Sequence, residues 1–320
     1  MEPNRTQKRT MQSIYNKTLF NIILLALFFC GASTVVKADT TIYSTGFEDT
    51  TQNAKWSADN GVWELGAPTS GPKAAHDGTQ VAGTILAGNY PTWKASNLIS
   101  PSIVLPTINA GEQISLKFWH WFSFGGADSN GRNPSYGHVN VATWDAVNKK
   151  WNASVQIPSS PTFYGGSSVW SQVVLDLSSF AGQKIQLQFH HDGQVNSGAG
   201  WYIDEVQVIR ETIVELPLNI PVTFESATAH DWGGWWADQG VWELGIPTSG
   251  PGIAHESKQV AGTVLAGNYP NWQGSGLISP SITLPALNAG EQLSLKFWHW
   301  FSYGGADSNG RNPSYGQVHI

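Results

Sequence analysis

The residues best suited to bind an ion or a polar ligand lie in a polar loop that the chain contains twice. The loop Asp128 to Asn133 (DSNGRN) recurs unchanged at 307–312. Oxygen-bearing side chains at alternate positions before a glycine resemble the start of a calcium loop, but Arg132 stands where a ligand is needed and the later glutamate is missing. An Asn-Gly turn is therefore the favoured interpretation. Asp128, Arg132 and Tyr136 could still contact a polar ligand from this loop.

Aromatic side chains could form a platform on which sugar rings stack. The candidates are Trp93, Trp119, Trp121 and Tyr136, with counterparts Trp272, Trp298, Trp300 and Tyr315 later in the chain. Aromatic rings beside polar loop residues suit a glycan site. Packing in a core or under a turn is the competing interpretation for each tryptophan. Trp63 and Trp242 lie in short alternating strands and are assigned to the core.

The sequence lacks the common motifs that indicate catalysis. It contains no His-Glu-x-x-His, no Gly-x-Ser-x-Gly and no phosphate-binding glycine loop. His190 and His191 point to opposite faces of one predicted strand, so they cannot easily share a metal ion. His120 faces the core side of its strand, where a hydrogen-bonded core histidine is expected. We therefore predict a non-catalytic protein.

These candidates lie in a unit that occurs twice. Residues 61–140 return at 240–319, and Trp63 and Trp242 are 179 positions apart. Roughly three-quarters of the paired residues are identical. A period this long indicates two tandem domains, since solenoid repeats are far shorter.

Alternation of apolar and polar residues between glycine and proline turns predicts an all-β fold. The predicted strands of the first unit are 40–48, 61–66, 80–86, 98–105, 113–124, 138–145, 151–157, 168–177, 184–191 and 201–210. In the longest, Phe118 and His120 share the core face, whereas Trp119 and Trp121 share the other. Pro101 predicts an edge or a bulge. Many short strands at regular spacing favour antiparallel β-sandwiches.

The N-terminus is typical of an export signal. Basic residues precede the apolar run 19–30, and Val36-Lys37-Ala38 predicts cleavage after Ala38. The run is too short for a comfortable membrane span. Cys30 is the only cysteine, so the mature chain would have none, which excludes disulfides, Cys–zinc sites and thiol catalysis.

Charge and boundaries complete the domain prediction. The net charge is −6, and residues 1–38 hold five basic side chains against one acidic, so the remainder is strongly acidic and nucleic acid is an improbable partner. We predict a signal peptide at 1–38, a first domain at 39–210, a linker at 211–220 stiffened by Pro217, and a second domain at 221–320. The sequence ends opposite Val141 of the first domain. The second domain is therefore expected to be incomplete, and the chain to be a fragment of a longer polypeptide.

A set of motifs points to one family. The motifs are Gly46-Phe47-Glu48, Gly61-Val62-Trp63-Glu64-Leu65-Gly66, Ala75-His76-Asp77-Gly78, Gly88-Asn89-Tyr90, Leu98-Ile99-Ser100-Pro101, Leu116-Lys117-Phe118-Trp119-His120 and Gly200-Trp201-Tyr202-Ile203-Asp204-Glu205-Val206. In this order they resemble the MAM-like jelly-roll domains of bacterial extracellular proteins. Such domains occur in immune inhibitor A-type peptidases and in choice-of-anchor and cleaved-adhesin surface proteins. The resemblance implies tandem antiparallel jelly-roll β-sandwiches.

The resemblance also implies a structural calcium ion. In related domains the first and last strands are neighbours, so Glu48 and Asp204 become side-chain ligands, with backbone carbonyls at Gly78 and Gln80 and with Asp77 as a further candidate. The alternative is that Glu48 and Asp204 are solvated carboxylates at strand ends.

Together these inferences predict a secreted binding or adhesion protein, located outside the cell or on a bacterial surface. Its partner would be an extracellular glycan or protein. The alternative is an accessory region of a secreted hydrolase, either a peptidase or a glycosidase, whose catalytic domain lies outside this sequence.

Overall fold

A computed structural model describes residues 39–306 and 308–320. The predicted signal peptide and Asp307, in the second copy of the polar loop, lie outside the described residues. The described chain is all-β with antiparallel sheets, as predicted. Two short helical segments were not predicted, namely helix α1 (Thr50–Asn53), whose N-cap is Asp49, and a 3₁₀ turn at Ser178–Phe180.

The first repeat supplies thirteen of the strands in the described chain. They are β1 (Thr40–Thr45), β2 (Ser57–Ala58), β3 (Trp63–Gly66), β4 (Val81–Thr84), β5 (Lys94–Ile99), β6 (Ile103–Val104), β7 (Glu112–Ser123), β8 (Tyr136–Asp145), β9 (Lys150–Trp151), β10 (Val155–Gln156), β11 (Ser171–Asp176), β12 (Lys184–Gly193) and β13 (Gly200–Thr212). The second repeat supplies β14 (Trp236–Ala237), β15 (Trp242–Gly245), β16 (Val260–Thr263) and β17 (Leu277–Ile278).

The first repeat is a sandwich of two sheets. Sheet I has the order β11-β7-β13-β4-β3, with β1 also paired to β13. Sheet II has the order β10-β8-β12-β5-β2, with β6 against β12 and β9 against β8. Most strands that are neighbours in these sheets are distant in the chain. For example, β7 pairs antiparallel with β13. The predicted neighbourhood of the first and last strands is confirmed, because β1 pairs with β13 from Thr40↔Arg210 to Thr45↔Val206.

The core lies between the inner faces of these sheets and is rich in aromatic rings. Trp201 is fully buried, with its ring centroid 5.5 Å from that of Phe163 and 5.8 Å from that of Phe189. His120 is also fully buried, and its Nδ1 accepts a hydrogen bond of 3.3 Å from Trp201 Nε1. The prediction that His120 is a hydrogen-bonded core histidine is confirmed.

Two of the predicted strands are interrupted. The segment 98–105 divides into β5 and β6 around Ser100 and Pro101, because a proline has no N–H with which to continue the ladder. The segment 151–157 divides into β9 and β10.

The linker prediction starts two residues too early. Strand β13 continues to Thr212, since Glu211 is buried and accepts hydrogen bonds from Lys117 Nζ at 2.8 Å and from Ser115 Oγ at 2.5 Å. Further along, Glu215 forms an isolated β-bridge with Ser281, so the segment does take part in β pairing despite Pro217.

The second repeat forms two small sheets, β14 with β17 and β15 with β16. Its segment 291–302, the counterpart of β7, contains no strand. Phe297, Trp298 and Trp300 in that segment are each more than half exposed, at 59%, 76% and 56%. In the first repeat β7 is held between β11 and β13, and the described residues of the second repeat contain no counterpart of either strand.

The second repeat packs against the outer face of sheet I. Trp119 of β7 meets Trp232 edge to face, with ring centroids 5.1 Å apart, and both side chains are only 3% exposed. Hydrogen bonds cross the same contact, from Trp232 N to Gln172 Oε1 at 3.0 Å and from Ser171 Oγ to the Trp242 carbonyl at 2.8 Å. The second repeat therefore covers Trp119 and shields it from solvent.

Candidate functional site

Two carboxylates converge on the turn formed by residues 76–80. Glu48 Oε1 accepts hydrogen bonds from the backbone N–H groups of Thr79 and Gln80, both at 2.7 Å. Asp204 Oδ2 accepts from His76 N at 3.0 Å and from Asp77 N at 3.1 Å. The turn thus connects Glu48, just after β1, to Asp204 in the middle of β13. Among the described residues the carboxylates of Glu48, Asp77 and Asp204 do not form a group with ligand atoms within 4.8 Å of one another, so the calcium site stays a prediction.

The turn requires glycine at its centre. Gly78 has φ +64°, and a Cβ atom there would lie 2.4 Å from Glu48 Oε1. A side chain at this position would push the carboxylate away. The recorded contacts between Glu48 and the turn come from N–H and hydroxyl donors. That the carbonyl groups of Gly78 and Gln80 bind an ion therefore stays a prediction. The same holds for Asp77, which is exposed.

Asp204 is a buried acid whose hydrogen bonds among the described residues come from backbone N–H groups, those of His76, Asp77 and Glu205. Burial raises its pKa to about 7, although these hydrogen bonds oppose the shift. A buried carboxylate without a basic side chain is costly to ionise, and a bound cation would remove that cost. Glu48 and Asp204 offer only oxygen atoms, the donor set that calcium prefers, so they fit the predicted ion.

A β-bulge places Glu205 beside Asp204. Asp204 lies opposite Trp119 and Gln207 opposite Lys117, so β13 contains one extra residue between them. Glu205 has φ +47°, an uncommon conformation for a residue other than glycine. The core residues change from odd to even positions here, as Ile203 and then Val206 belong to the core. Both acids consequently lie at the outer face of sheet I.

The polar loop Asp128 to Asn133 is a turn, as favoured from the sequence. Asp128 Oδ1 accepts from Asn130 N at 2.8 Å and from Arg132 N at 2.9 Å, and Gly131 takes φ +74°. The carboxylate is therefore engaged in closing its own loop.

The predicted aromatic platform is divided between two faces of the sandwich. Trp119 and Trp121 belong to sheet I, where Trp119 is buried and Trp121 packs on Tyr202 with ring centroids 5.6 Å apart. The prediction that Trp119 contacts a ligand is therefore wrong. Trp93 and Tyr136 instead lie at one end of sheet II, on either side of β12, because Lys94 pairs with Gly193 and Tyr136 with Asp192.

The outer face of sheet II carries aligned polar and aromatic side chains from three strands. The cross-strand rows are Tyr136–Asp192–Ala95, His138–His190–Asn97 and Asn140–Gln188–Ile99, from β8, β12 and β5 in turn. We call these nine residues the sheet II face. Alternate residues such as Val139, Phe189 and Leu98 point into the core, and each is at most 2% exposed. Sequence reasoning selected only Tyr136 from this face, although polar residues at every second position of β8 and β12 were visible.

Contacts within the sheet II face order its side chains. The rings of His138 and His190 have centroids 4.7 Å apart, and His190 Nδ1 lies 2.9 Å from Asn97 Oδ1. Burial, followed by the charge of His190, lowers the pKa of His138 to about 4. Burial, followed by the hydrogen bond and charge of Asp192, raises the pKa of Tyr136 to about 12. His138 and Tyr136 are therefore uncharged near pH 7.

Trp93 directly precedes β5 at the end of the sheet II face that contains Tyr136. Its side chain is 63% exposed, its φ is +56°, and its backbone N–H donates to the Gln194 carbonyl at 3.2 Å. An exposed indole on an ordered turn is suited to stacking against a ligand.

Comparison with known proteins finds one relative by sequence. The chain is 31% identical over 174 residues to Bacillopeptidase F of Bacillus subtilis (strain 168). The match covers 54% of this chain and 11% of that protein. No protein-family model matches the sequence, so the predicted MAM-like membership stays a prediction.

Solved structures with remote similarity include two bacterial domains. The xylan-binding domain CBM22-1 of Paenibacillus barcinonensis Xyn10C shares 15% identity at a TM-score of 0.35, covering 56% of this chain and 99% of that one. The K1 cleaved adhesin domain of Lys-gingipain from Porphyromonas gingivalis W83 shares 21% identity at a TM-score of 0.30, covering 54% and 98%. Within residues 39–306 and 308–320, none of the helices has the length and apolar character needed to cross a membrane.

Proposed function

We propose that this chain is a non-catalytic extracellular binding protein whose first repeat recognises a glycan on the sheet II face. The observation that carries the proposal is the alignment of Tyr136, His138, His190 and Asn97 across adjacent strands, at the end of sheet II where the exposed Trp93 precedes β5. Location outside the cell is supported by the predicted export signal at residues 1–38.

The chemistry of this face suits sugar rings. Amide groups of Asn140 and Gln188 both donate and accept hydrogen bonds, as sugar hydroxyl groups do. The amide of Asn97 instead orders the face, since its Nδ2 donates to Asp59 Oδ2 at 2.7 Å and its Oδ1 lies 2.9 Å from His190 Nδ1. The rings of Tyr136 and Trp93 offer apolar surfaces against which the C–H groups of a sugar can pack. The neutral imidazole of His138 adds one donor and one acceptor. The rigid sheet holds these groups in place, which reduces the entropy lost on binding.

We expect Tyr136→Ala and His190→Ala each to weaken glycan binding about tenfold, close to 1.4 kcal/mol. A glycan array probed with the full chain identifies the sugar, and calorimetry then measures its affinity for each variant. Trp93→Ala and Trp272→Ala form a matched pair. Trp272 is the counterpart of Trp93 in the second repeat and is also exposed, but the described residues of that repeat form no equivalent of sheet II. Only Trp93→Ala is expected to weaken binding. No array signal above background, or equal affinities for all variants, would overturn the proposal.

We also propose that Glu48 and Asp204 bind a structural calcium ion. Saturating calcium is expected to raise the melting temperature by about 5–10 °C over EGTA, since an ion at a hundred times its Kd adds about 2.7 kcal/mol. Glu48→Gln should abolish most of this shift. Glu225→Gln is the matched control, because Glu225 accepts from Lys258 N at 2.8 Å and from Gln259 N at 2.6 Å in the same way. An EGTA-insensitive melting temperature would contradict the calcium proposal.

A second candidate function rests on the similarity to Bacillopeptidase F. The chain would then be an accessory region of a secreted peptidase that holds the enzyme near its substrate. Immunoprecipitation of the natural protein from culture medium, with an antibody to residues 39–210, discriminates the two. Peptidase activity in the precipitate favours this candidate, whereas glycan binding without peptidase activity favours the first.

A further inference from the structure

A second group of metal-binding side chains lies where the two repeats meet. His76 Nδ1 is 2.5 Å from Glu205 Oε2, and His230 Nδ1 is 2.7 Å from Glu205 Oε1. One ligand atom from each residue lies within 4.8 Å of the other two. His76 and Glu205 belong to the first repeat and His230 to the second, so this group forms only where the repeats are in contact.

Each of the three side chains is positioned by a further contact. The imidazole of His76 stacks on the indole of Trp119, with centroids 3.9 Å apart and planes 12° from parallel. Glu205 projects from the β-bulge in its φ +47° conformation. Residues held in such uncommon conformations often belong to ligand sites. His230 is fixed through its backbone, whose N–H donates to Thr228 Oγ1 at 3.2 Å and whose carbonyl accepts from Gln172 Nε2 at 3.4 Å.

The sequence supplies His230 only in the second repeat. Phe47 and Trp56 are nine positions apart, whereas their counterparts Phe224 and Trp235 are eleven apart. The longer segment contains both His230 and Trp232, the residues that reach sheet I. In the first repeat the same place in the chain is taken by helix α1. The second repeat therefore carries a modified segment that contacts its predecessor.

We propose that His76, Glu205 and His230 bind one zinc ion, or a similar transition-metal ion, that joins the two repeats. Two imidazoles and one carboxylate match a common zinc ligand set, and three protein ligands leave a position for water. Ligand atoms around tetrahedral zinc lie about 3.3 Å apart, so the His–Glu separations must widen by less than about 1 Å. Calcium prefers oxygen ligands alone. This site is therefore chemically distinct from the one formed by Glu48 and Asp204.

The test is a zinc titration of the full chain without a histidine affinity tag, after removal of metal ions. We expect one equivalent of zinc to bind, to raise the melting temperature, and to remain bound in excess calcium. Cobalt in place of zinc should show the intense visible absorption of a tetrahedral nitrogen and oxygen site. His76→Gln, Glu205→Gln and His230→Gln should each lower zinc affinity by about 10–100-fold.

A matched control is His255→Gln in the second repeat. His255 is the counterpart of His76 and stacks on Trp298 with the same 3.9 Å separation, but it belongs to no comparable group of ligands among the described residues. His255→Gln is expected to leave zinc binding unchanged. His230→Gln is the decisive variant, because its side chain is 54% exposed and its loss should leave the far-UV circular dichroism spectrum intact. Absence of stoichiometric zinc binding, or equal affinities for His230→Gln and His255→Gln, would overturn the proposal.

Discussion

Replacing Trp119 by alanine is expected to lower the free energy of unfolding by about 3–5 kcal/mol. The indole is 3% exposed and lies between the stacked imidazole of His76 and the edge of Trp232. Its removal leaves a cavity between the outer face of sheet I and the segment around Trp232, so both transfer free energy and packing are lost. The same change frees His76 and Trp232, and the segment around Trp232 should become sensitive to limited proteolysis.

Trp298→Ala provides the comparison within the same molecule. Trp298 is the counterpart of Trp119 and also stacks on a histidine, but it is 76% exposed. Its replacement is expected to change stability by less than about 0.5 kcal/mol. Urea unfolding followed by circular dichroism measures both variants. A cost for Trp119→Ala as small as that expected for Trp298→Ala would show that the repeats do not pack together in solution.

The alternating pattern of the sequence was sufficient to predict the faces of the longest strand. In β7 the core cluster contains Phe118 and Phe122, and His120 lies among them fully buried. This prediction succeeds because successive side chains on a strand must point to opposite faces. What covers the other face is not determined by the strand itself. The sequence leaves both a ligand contact and a packing role open for Trp119, because it does not show that Trp232 lies against it.

The bulge in β13 was the feature that concealed Glu205. Strict alternation places Asp204 and Glu205 on opposite faces, and only Asp204 was selected. The extra residue opposite the Trp119–Lys117 segment brings both carboxylates to the turn at residues 76–80. A bulge depends on the pairing partner as well as on the strand. The one available signal was the change of apolar residues from odd to even positions between Ile203 and Val206.

The sheet II face depends on strand order in the same way. His138 and His190 are 52 positions apart, and Asn97 lies 41 positions before His138. Period-two polarity could have identified the outward residues of each strand, but the β8–β12–β5 order is set by long-range pairing. Glu48 and Asp204, the residues of the proposed calcium site, were easier to select from the sequence, because the motif resemblance supplied both together with the neighbourhood of their strands.

Acidification from pH 7 to pH 4 in EGTA is expected to lower the free energy of unfolding by about 3–5 kcal/mol. Burial lowers the pKa of His120 to about 3 and that of His191 to about 4. Both side chains are fully buried and neutral in the folded protein. The unfolded chain takes up their protons near pH 6.5, so their contribution to stability is complete above that pH. It is lost progressively as the pH falls towards their folded values.

Asp204 acts in the opposite direction within the same range. Its folded pKa is about 7 against an ordinary value of 3.8, so without a bound cation the folded protein gains a proton that the unfolded chain does not hold. Its contribution is therefore present below pH 3.8 and lost as the pH rises through 7. The stability lost by protonation of the two core histidines exceeds the stability gained by protonation of one aspartate. Acidification therefore lowers the free energy of unfolding overall. His138, whose pKa is also lowered by burial, adds to the loss to a smaller extent, since solvent reaches it.

His191→Phe isolates the contribution of one core histidine. Its ring packs against Tyr90 at 4.4 Å and Phe124 at 5.5 Å between centroids, and neither ring nitrogen has a hydrogen-bond partner among the described residues. Phenylalanine keeps the ring and removes the titration, so the variant should lose about 3 kcal/mol less stability than the parent between pH 7 and pH 4. Urea unfolding at four pH values measures this, with the exposed His255→Phe as control. Parallel pH profiles for His191→Phe and the parent would show that His191 is not held neutral by the core.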